Sequence, residues 1–544
     1  MPTLNWIGKE AVTDHHRQVP YHLLRCDEKL SVGDPGSGNL LVQGDNLLAL
    51  KALLPYYAGQ VKCIYIDPPY NTGNTEKLGG WKYNDNTDSP EIRRWLGELV
   101  GSEGDDLSRH DKWLCMMHPR LVLLRELLRP DGLIFSSIDD NEVTNLRMLM
   151  NEVFGAKNFQ QQLVWKNKYG PGAMTKGFGN IHEYILCYSK GPIRSIHAPL
   201  SVEEQAKYRK RDSKFAVRGG YITQPLMTRS KDDRPNLMYP ISYEGEEIMP
   251  RKQWIWERAR LLRAIDDNEV VFRKTNGNWS VRFKQYLRDK HGRMRLGKPI
   301  SILTGPFNQD GTRELREMFG HLPFNNPKPK QLAKYLLSMI INGKDEQDYI
   351  ALDSFCGSGT TAHALLELNR EDNGLRRFIT IEMDADTCQN VAGTRLTKAV
   401  GGYTKHVPAR EHVPGLGGGF RFCKLSTPIF DENGRINAEV RFADLAAHVF
   451  FTETGEPIPK RPHGKNPSPL IGVCNGTAYY LLFNGILGDK RPNGGNVLTG
   501  KILAELPAHD GPKVIYGEGS RLGAARLKRE GVTFKQVPYE IKVS

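Results

Sequence analysis

No run of apolar residues in this 544-residue chain approaches the roughly 20 that a membrane-spanning helix needs, so no membrane association is expected. The eight cysteines stand apart, with no Cys-x-x-Cys pair and no Cys/His group at zinc spacing. They read as free thiols of a cytosolic protein, and no metal site is expected. The fifteen histidines form no ligand pattern either, and His15-His16 reads as a surface pair. Met1-Pro2-Thr3-Leu4-Asn5-Trp6 has no basic patch followed by an apolar segment, so no secretion signal is expected and the location implied is cytoplasmic.

The chain does have length and basic charge. At 544 residues it is too long for one compact domain, and two to four are expected. With 39% apolar residues it can bury sizeable cores. The formal net charge of +13 is concentrated, because residues 201–300 hold 23 Lys and Arg against 13 Asp and Glu. Net basicity alone implies only non-specific attraction to polyanions. A basic block set into an otherwise balanced chain points to a phosphate backbone.

Periodicity divides the chain. Residues 1–39 show little pattern and read as an extension packed on the next domain. Asn39 to Gln43 is a short strand, Leu47, Leu48, Leu50, Leu53 and Leu54 mark one face of a helix, and Val61 to Ile66 is a second strand. That order is a βαβ unit of a parallel sheet. Residues 71–112 read as a long polar loop. An amphipathic helix from Lys112 to Arg129 follows, stopped by Pro130-Asp131-Gly132, then a strand from Leu133 to Ile138 and a helix from Glu142 to Phe154. Leu163 to Lys166 and Glu183 to Tyr188 read as strands joined by a Gly-rich basic loop from Lys168 to Gly179. The block 201–322 loses the leucine-rich helices and gains Arg, Lys and aromatics, and reads as an inserted domain in which Trp254 and Trp256 are core residues before they are base-stacking platforms. The α/β alternation resumes over 323–404, and 405–544 reads as a separate C-terminal α/β domain with strands at Gly476 to Phe483, Lys513 to Gly517 and Val537 to Ile541.

Two stretches carry chemistry. In Ile64-Tyr65-Ile66-Asp67-Pro68-Pro69-Tyr70 a buried strand delivers an acid to the lip of a sheet. Each proline fixes its φ and lacks an N–H, so the carbonyls of Asp67 and Pro68 are held with little freedom. The result is a rigid acceptor cluster with the Tyr70 ring beside it, suited to a planar ligand that carries an amino group. In Asp353-Ser354-Phe355-Cys356-Gly357-Ser358-Gly359-Thr360-Thr361 a strand ends in an acid and two glycines open a helix. Such glycines let backbone approach a nucleoside, and Glu382, ending the next strand, is placed to take ribose hydroxyls. No lysine precedes Thr360-Thr361, so this is not a phosphate-binding Walker loop. Asp45 is either a ligand contact or the cap of the helix that follows it.

The two stretches together resemble the catalytic and cofactor motifs of S-adenosylmethionine-dependent amino-methyltransferases acting on DNA. The catalytic motif comes first, which resembles the β class of adenine-N6 methyltransferases with its permuted motif order. The wording of Gln43-Gly44-Asp45-Asn46, Asp67 to Gly73, Leu133 to Glu142, His182-Glu183-Tyr184 and Asn326-Pro327-Lys328-Pro329 is similar to the modification subunits of type III restriction systems. The resemblance implies an α/β, Rossmann-like methyltransferase sheet formed by residues 40–200 and 323–404, with 201–322 as the target recognition domain. It implies that Asp67, Pro68, Pro69 and Tyr70 hold the target base, that Asp353, Phe355, Gly357 and Gly359 form the cofactor loop, and that Glu382 binds the ribose. Asp45 would meet the adenine end of the cofactor, and Lys328 and Pro329 its methionine portion. Ser354-Phe355-Cys356 departs from the wording of many relatives but leaves the glycines intact. The implied partners are double-stranded DNA, a second copy of the chain and a restriction or helicase subunit, with Arg209, Lys210 and Arg211 in the DNA-facing basic block. Other readings of the same residues are an amino-methyltransferase acting on cytosine N4, an RNA base or a glutamine, and a DNA-binding subunit with a relic fold. The intact Asp67, Tyr70, Gly357 and Gly359 speak against the relic. The chain has no Pro-Cys nucleophile for C5-cytosine chemistry.

Overall fold

The computed structural model describes residues 3–72, 109–171, 177–227, 234–341, 347–460, 462, 467–483, 495–538 and 540–541. Most of the loop read over 71–112, and the centre of the one read over 168–179, therefore lie outside the described residues. The chain divides into two units, one of Met1–Ser195 with Ile300–Ser544 and the other Ile196–Pro299.

The first unit is built on a ten-stranded sheet in the order His22–Gly33, Gly419–Pro428, Leu40–Gln43, Arg377–Glu382, Ile350–Asp353, Val61–Ile66, Leu128–Ile138, His182–Ser189, Phe159–Lys166, Ile302–Leu303. From Gly419–Pro428 to Leu128–Ile138 neighbouring strands are parallel. Parallel strands are covered on both faces and so run continuously apolar; Val61–Ile66 and Ile350–Asp353 are buried at every position. This is the α/β sheet that the sequence predicts. Helix Arg109–Leu127 leads into Leu128–Ile138, on one side of Val61–Ile66. Helix Thr360–Asp372 leads from Ile350–Asp353 to Arg377–Glu382, on the opposite side. The strand order thus turns around between Ile350–Asp353 and Val61–Ile66, the point where open α/β sheets bind ligands. Their register, Leu352 opposite Ile64, sets Asp353 and Asp67 at neighbouring strand ends.

Several expectations change. Residues 22–33 are more than an extension, because His22–Gly33 is an edge strand of this sheet, antiparallel to Gly419–Pro428. Cys26 and Cys423 face each other in that register and form a disulfide, so the reading of all eight cysteines as free thiols fails there. His16 is buried rather than part of a surface pair. The helix expected to run to Arg129 ends at Leu127, and Pro130-Asp131-Gly132 lies inside the strand Leu128–Ile138. Residues 405–544 do not separate cleanly: Gly419–Pro428 belongs to the large sheet, and helix Phe442–Thr454 puts Leu445, Val449 and Phe450 into the main core. Only the later part has a sheet of its own, Leu470–Cys474, Thr477–Leu481, Lys513–Gly517 and Val532–Gln536. Its last strand ends before Val537, where a strand was expected to begin.

The second unit begins and ends earlier than the block read over 201–322. Residues 300–322, with helix Asn308–Phe319, belong to the first unit. The second unit has a three-stranded antiparallel sheet, with Asn278–Tyr286 between Val270–Thr275 and Tyr221–Pro225. Helix Arg258–Asp266 buries Leu261 and Ala264 in a core with Trp254, Ile241 and Val281. Trp254 is fully buried and its indole N–H donates to the Tyr239 carbonyl at 2.8 Å, so it is a core residue.

Candidate active site

The Asp67-Pro68-Pro69-Tyr70 turn is held from below. The fully buried Trp113 donates its indole N–H to the Pro69 carbonyl at 2.7 Å. Asn71, at φ +57°, takes the left-handed conformation that Asn tolerates and donates its side-chain amide to Glu142 at 2.5 Å and to the Arg109 carbonyl at 3.1 Å. The Pro69 carbonyl is thereby occupied, while the Pro68 carbonyl accepts no hydrogen bond from the described residues.

Above the turn lies a four-residue cluster. The Lys328 ammonium donates to the Tyr70 hydroxyl oxygen at 2.7 Å and to Glu183 Oε2 at 3.1 Å, and stands 3.2 Å from Asp67 Oδ1. Tyr70 Oη lies 2.9 Å from Asp67 Oδ1 and 3.1 Å from Glu183 Oε2, so its single proton can serve only one of the two carboxylates at a time. The ammonium also lies 4.8 Å from the centre of the Tyr70 ring and 5.7 Å from that of Trp165. Asp67 is therefore gripped at Oδ1, and its Oδ2 has no partner among the described residues. It is also more exposed than its two charged neighbours, at 27% of its side chain against 12% for Glu183 and 9% for Lys328.

Two carboxylates share one cation, and their proton affinities separate. Burial raises the Asp67 carboxyl above its ordinary value, with Lys328 pulling the other way and the Glu183 charge adding to the rise. Burial works on Glu183 in the same sense, but Lys328, Asn167 and Tyr70 together hold it below its ordinary value. Burial would lower Lys328, but the two carboxylates raise it. At neutral pH this leaves Lys328 charged and Glu183 ionised, and Asp67 is the member closest to taking a proton.

Across the strand boundary, the loop after Asp353 is tied to its own sheet. Asp353 Oδ1 accepts the Phe355 N–H at 3.0 Å and Oδ2 the Thr361 hydroxyl at 2.5 Å. Burial raises its carboxyl to about 7, against those two hydrogen bonds. Glu382, fully buried, accepts the Gly357 N–H at 2.8 Å and the Asp384 N–H at 2.9 Å. Gly357 has φ +53°, and a Cβ there would stand 3.0 Å from the Phe324 ring. The loop thus keeps bare backbone where a side chain has no room. Ser354 is buried, and its Oγ has no partner among the described residues. Arg395, also buried, donates to Ser358 Oγ at 3.1 Å and Thr360 Oγ1 at 2.9 Å, which fixes the far side of the loop.

The structure brings Asp67, Tyr70 and Lys328 into contact and sets Asp353 on the adjacent strand. Pro329 is the N-cap of helix Lys330–Leu337, and the neighbouring Lys328 carbonyl accepts the Thr360 hydroxyl at 3.2 Å. Asp45 caps helix Asn46–Tyr57, accepting the N–H groups of Leu47 and Leu48 at 2.8 and 3.1 Å, while its other oxygen pairs with Arg120 at 3.2 Å. Glu183 was missed as a site residue. Its one signal was its place in the His182-Glu183-Tyr184 wording. In the second unit Arg209, Lys210 and Arg211 are exposed and have no acidic partner among the described residues. Their segment is anchored at Asp212, which accepts from Lys284 at 2.8 Å and Tyr286 at 2.7 Å.

The family model described as DNA methylase matches residues 61–392, more than half of the chain and both motif stretches. The chain belongs to the DNA methylase family. Among curated relatives, it is 33% identical over 422 residues to the type III restriction-modification enzyme StyLTI Mod subunit of Salmonella typhimurium (strain LT2), covering 75% of this chain and 62% of that one. It is 30% identical over 376 residues to the type II methyltransferase M.KpnI of Klebsiella pneumoniae, covering 65% and 82%. The chain spans 62%, 63% and 65% of the length of three type III relatives and 56% of a fourth. Among solved structures, a DNA modification methylase of Thermus thermophilus, TTHA0409, matches with a TM-score of 0.31 and 14% identity, over 71% of this chain and 98% of that one. Membership of the DNA methylase family therefore rests on the family model and the sequence relatives.

Proposed function

We propose that the chain transfers a methyl group from S-adenosylmethionine to the N6 amino group of an adenine flipped out of double-stranded DNA. The observation that carries this reading is a pair of acceptors without a partner among the described residues, Asp67 Oδ2 and the Pro68 carbonyl, fixed by Trp113 and Lys328 one strand away from a backbone-lined loop. The bare backbone at Gly357, the Ser354 hydroxyl without a partner among the described residues and the acid Glu382 ending the next strand fit a nucleoside sulfonium. Asp353, Phe355, Gly357, Gly359 and Glu382 would hold it, with Asp45, Lys328 and Pro329 at its ends. When bound, this cofactor supplies a methyl group on positively charged sulfur.

The amino group of adenine is a poor nucleophile because its lone pair is delocalised into the ring. Acceptors at Asp67 and Pro68 grip its two hydrogens and favour a pyramidal nitrogen with a localised lone pair. Catalysis is then mainly positioning and electrostatics. The surplus proton can leave after transfer, and Asp67, with its raised carboxyl and one oxygen unpaired among the described residues, is placed to take it. Tyr70 would stack on the base, a contact worth about 1–3 kcal/mol. Flipping costs a few kcal/mol, which phosphate contacts of the basic second unit offset. The wording shared with Mod subunits supports a role in restriction-modification, with a second copy of the chain and a restriction subunit as partners and the cytoplasm as the location.

With labelled S-adenosylmethionine and mixed-sequence DNA, the product should be N6-methyladenine. Label found only in cytosine, RNA or protein would overturn the assignment. Neutralising Arg209, Lys210 and Arg211 together should weaken DNA binding and flatten its salt dependence by about 0.9 in log–log slope for each phosphate no longer neutralised. An unchanged slope in a salt titration would remove this run from the interface.

A further inference from the structure

We propose that Glu183 is a positioning residue for the methyl transfer, which keeps Asp67 an open acceptor by drawing the Lys328 ammonium away from an exclusive pair with it. The inference rests on the reading of Asp67 given above.

Glu183 is not placed by chance. Strand His182–Ser189 pairs antiparallel with Leu128–Ile138 on one side and with Phe159–Lys166 on the other. Its Oε1 accepts the Asn167 side-chain amide at 2.7 Å, which leaves Oε2 for Lys328 and Tyr70. Lys328 stands almost equally far from the two acids, 3.1 Å from Glu183 and 3.2 Å from Asp67. An ammonium shared in this way neutralises neither. Were Glu183 uncharged, the cation would settle on Asp67 alone. A carboxylate closed into such a pair is a weaker acceptor for an amino hydrogen and binds its proton less tightly.

The other ionisable groups around the cluster do not replace Glu183. Tyr65, on the Val61–Ile66 strand, gives its hydroxyl to a contact with Ser137 at 2.9 Å. Asp353, on the strand beyond, is held by Thr361 and the Phe355 N–H. Asp139, after the neighbouring strand, accepts from Asn141. Glu142 is occupied by Asn71, His110 and Asn145. Within this set only Glu183 shares the ammonium with Asp67.

The test uses the full chain, with Glu183→Gln to remove the charge at constant shape and Glu183→Asp to restore it. Methyl transfer under saturating DNA and cofactor is followed from acid to neutral pH. In parallel the Asp67 carboxyl is titrated by NMR in aspartate-labelled protein, its signal assigned with Asp67→Asn. Glu183→Gln should slow transfer about tenfold at its plateau. It should also move both the acid limb of the rate and the Asp67 midpoint to lower pH, with cofactor affinity within about twofold. Glu183→Asp should recover most of the rate and the original midpoint. A Glu183→Gln protein with the wild-type rate and midpoint would overturn the proposal. So would a slow one whose midpoint is unmoved and whose defect lies in cofactor affinity. If the wild-type chain itself methylates no adenine, the functional reading fails instead, and the Asp67 midpoint still reports on Glu183.

Discussion

Asp67→Ala should lose about a hundred- to a thousandfold or more in methyl transfer, the scale seen when one preorganised polar contact to a reacting centre is removed. Cofactor affinity should stay within a few-fold, because the loop Asp353 to Thr361 is tied to its own strand and to Glu382 without help from Asp67. The fold should not suffer either. Burial and the Glu183 charge raise the Asp67 carboxyl, so ionised Asp67 costs the folded state stability at neutral pH, and a group of that kind adds stability only as pH falls. Removing it leaves Lys328 paired with Glu183 at 3.1 Å. The variant should therefore denature no earlier than wild type at pH 7 and lose that parity in acid. Asp67→Asn, which keeps an oxygen acceptor but no charge, should fall between the two in rate. Single-turnover transfer with labelled cofactor, alongside equilibrium cofactor binding, separates these effects. Near-normal turnover of Asp67→Ala would mean that the amino group is held elsewhere.

The parts of this site that were legible in the sequence are those whose physics is local. Pro68 and Pro69 stiffen the chain wherever they stand, and the glycines at 357 and 359 mark backbone that no side chain can share; both have positive φ. The helix cap at Asp45 was equally local, and it was foreseen as one of two readings. What escaped depends on register between distant segments. Lys328 meets Tyr70 across 258 residues, and Glu183 joins them only because of how His182–Ser189 pairs with its neighbours. The disulfide needed Cys26 to fall opposite Cys423, 397 residues away. Strand His22–Gly33 hid for a different reason. It lies at a sheet edge and its register shifts between Asp27 and Val32, so its burial does not alternate with the period of two that marks a half-buried strand. The helix stops at Leu127, ahead of Pro130, and the chain passes straight into a strand with no intervening turn; a stop signal carries no information on the type of the next element.

Lys328→Met should be the most destabilising single change at this site, and its cost should depend on pH. Lys328 and Glu183 are largely buried, and removing one partner of such a set leaves charge without compensation, at a typical cost of about 3–5 kcal/mol. In the variant Asp67 and Glu183 face each other through the Tyr70 hydroxyl with no cation between them. Both carboxyls then bind protons more tightly in the folded state than in the unfolded one. Groups with raised folded values add stability as pH falls through them, so the gap in stability between variant and wild type should be widest above neutrality and should narrow on acidification. Denaturation by urea at several pH values measures this directly. A gap that stays constant, or widens in acid, would show that the ammonium does not hold the two carboxylates together. The same variant should push the acid limb of methyl transfer to higher pH, because Asp67 loses the one charge that draws its proton off. Glu183→Gln is expected to move that limb the other way. Opposite shifts from two neutralising changes on one cluster would not follow from a general loosening of the fold. They require Asp67 to stand between an acid and a cation that compete to set its charge.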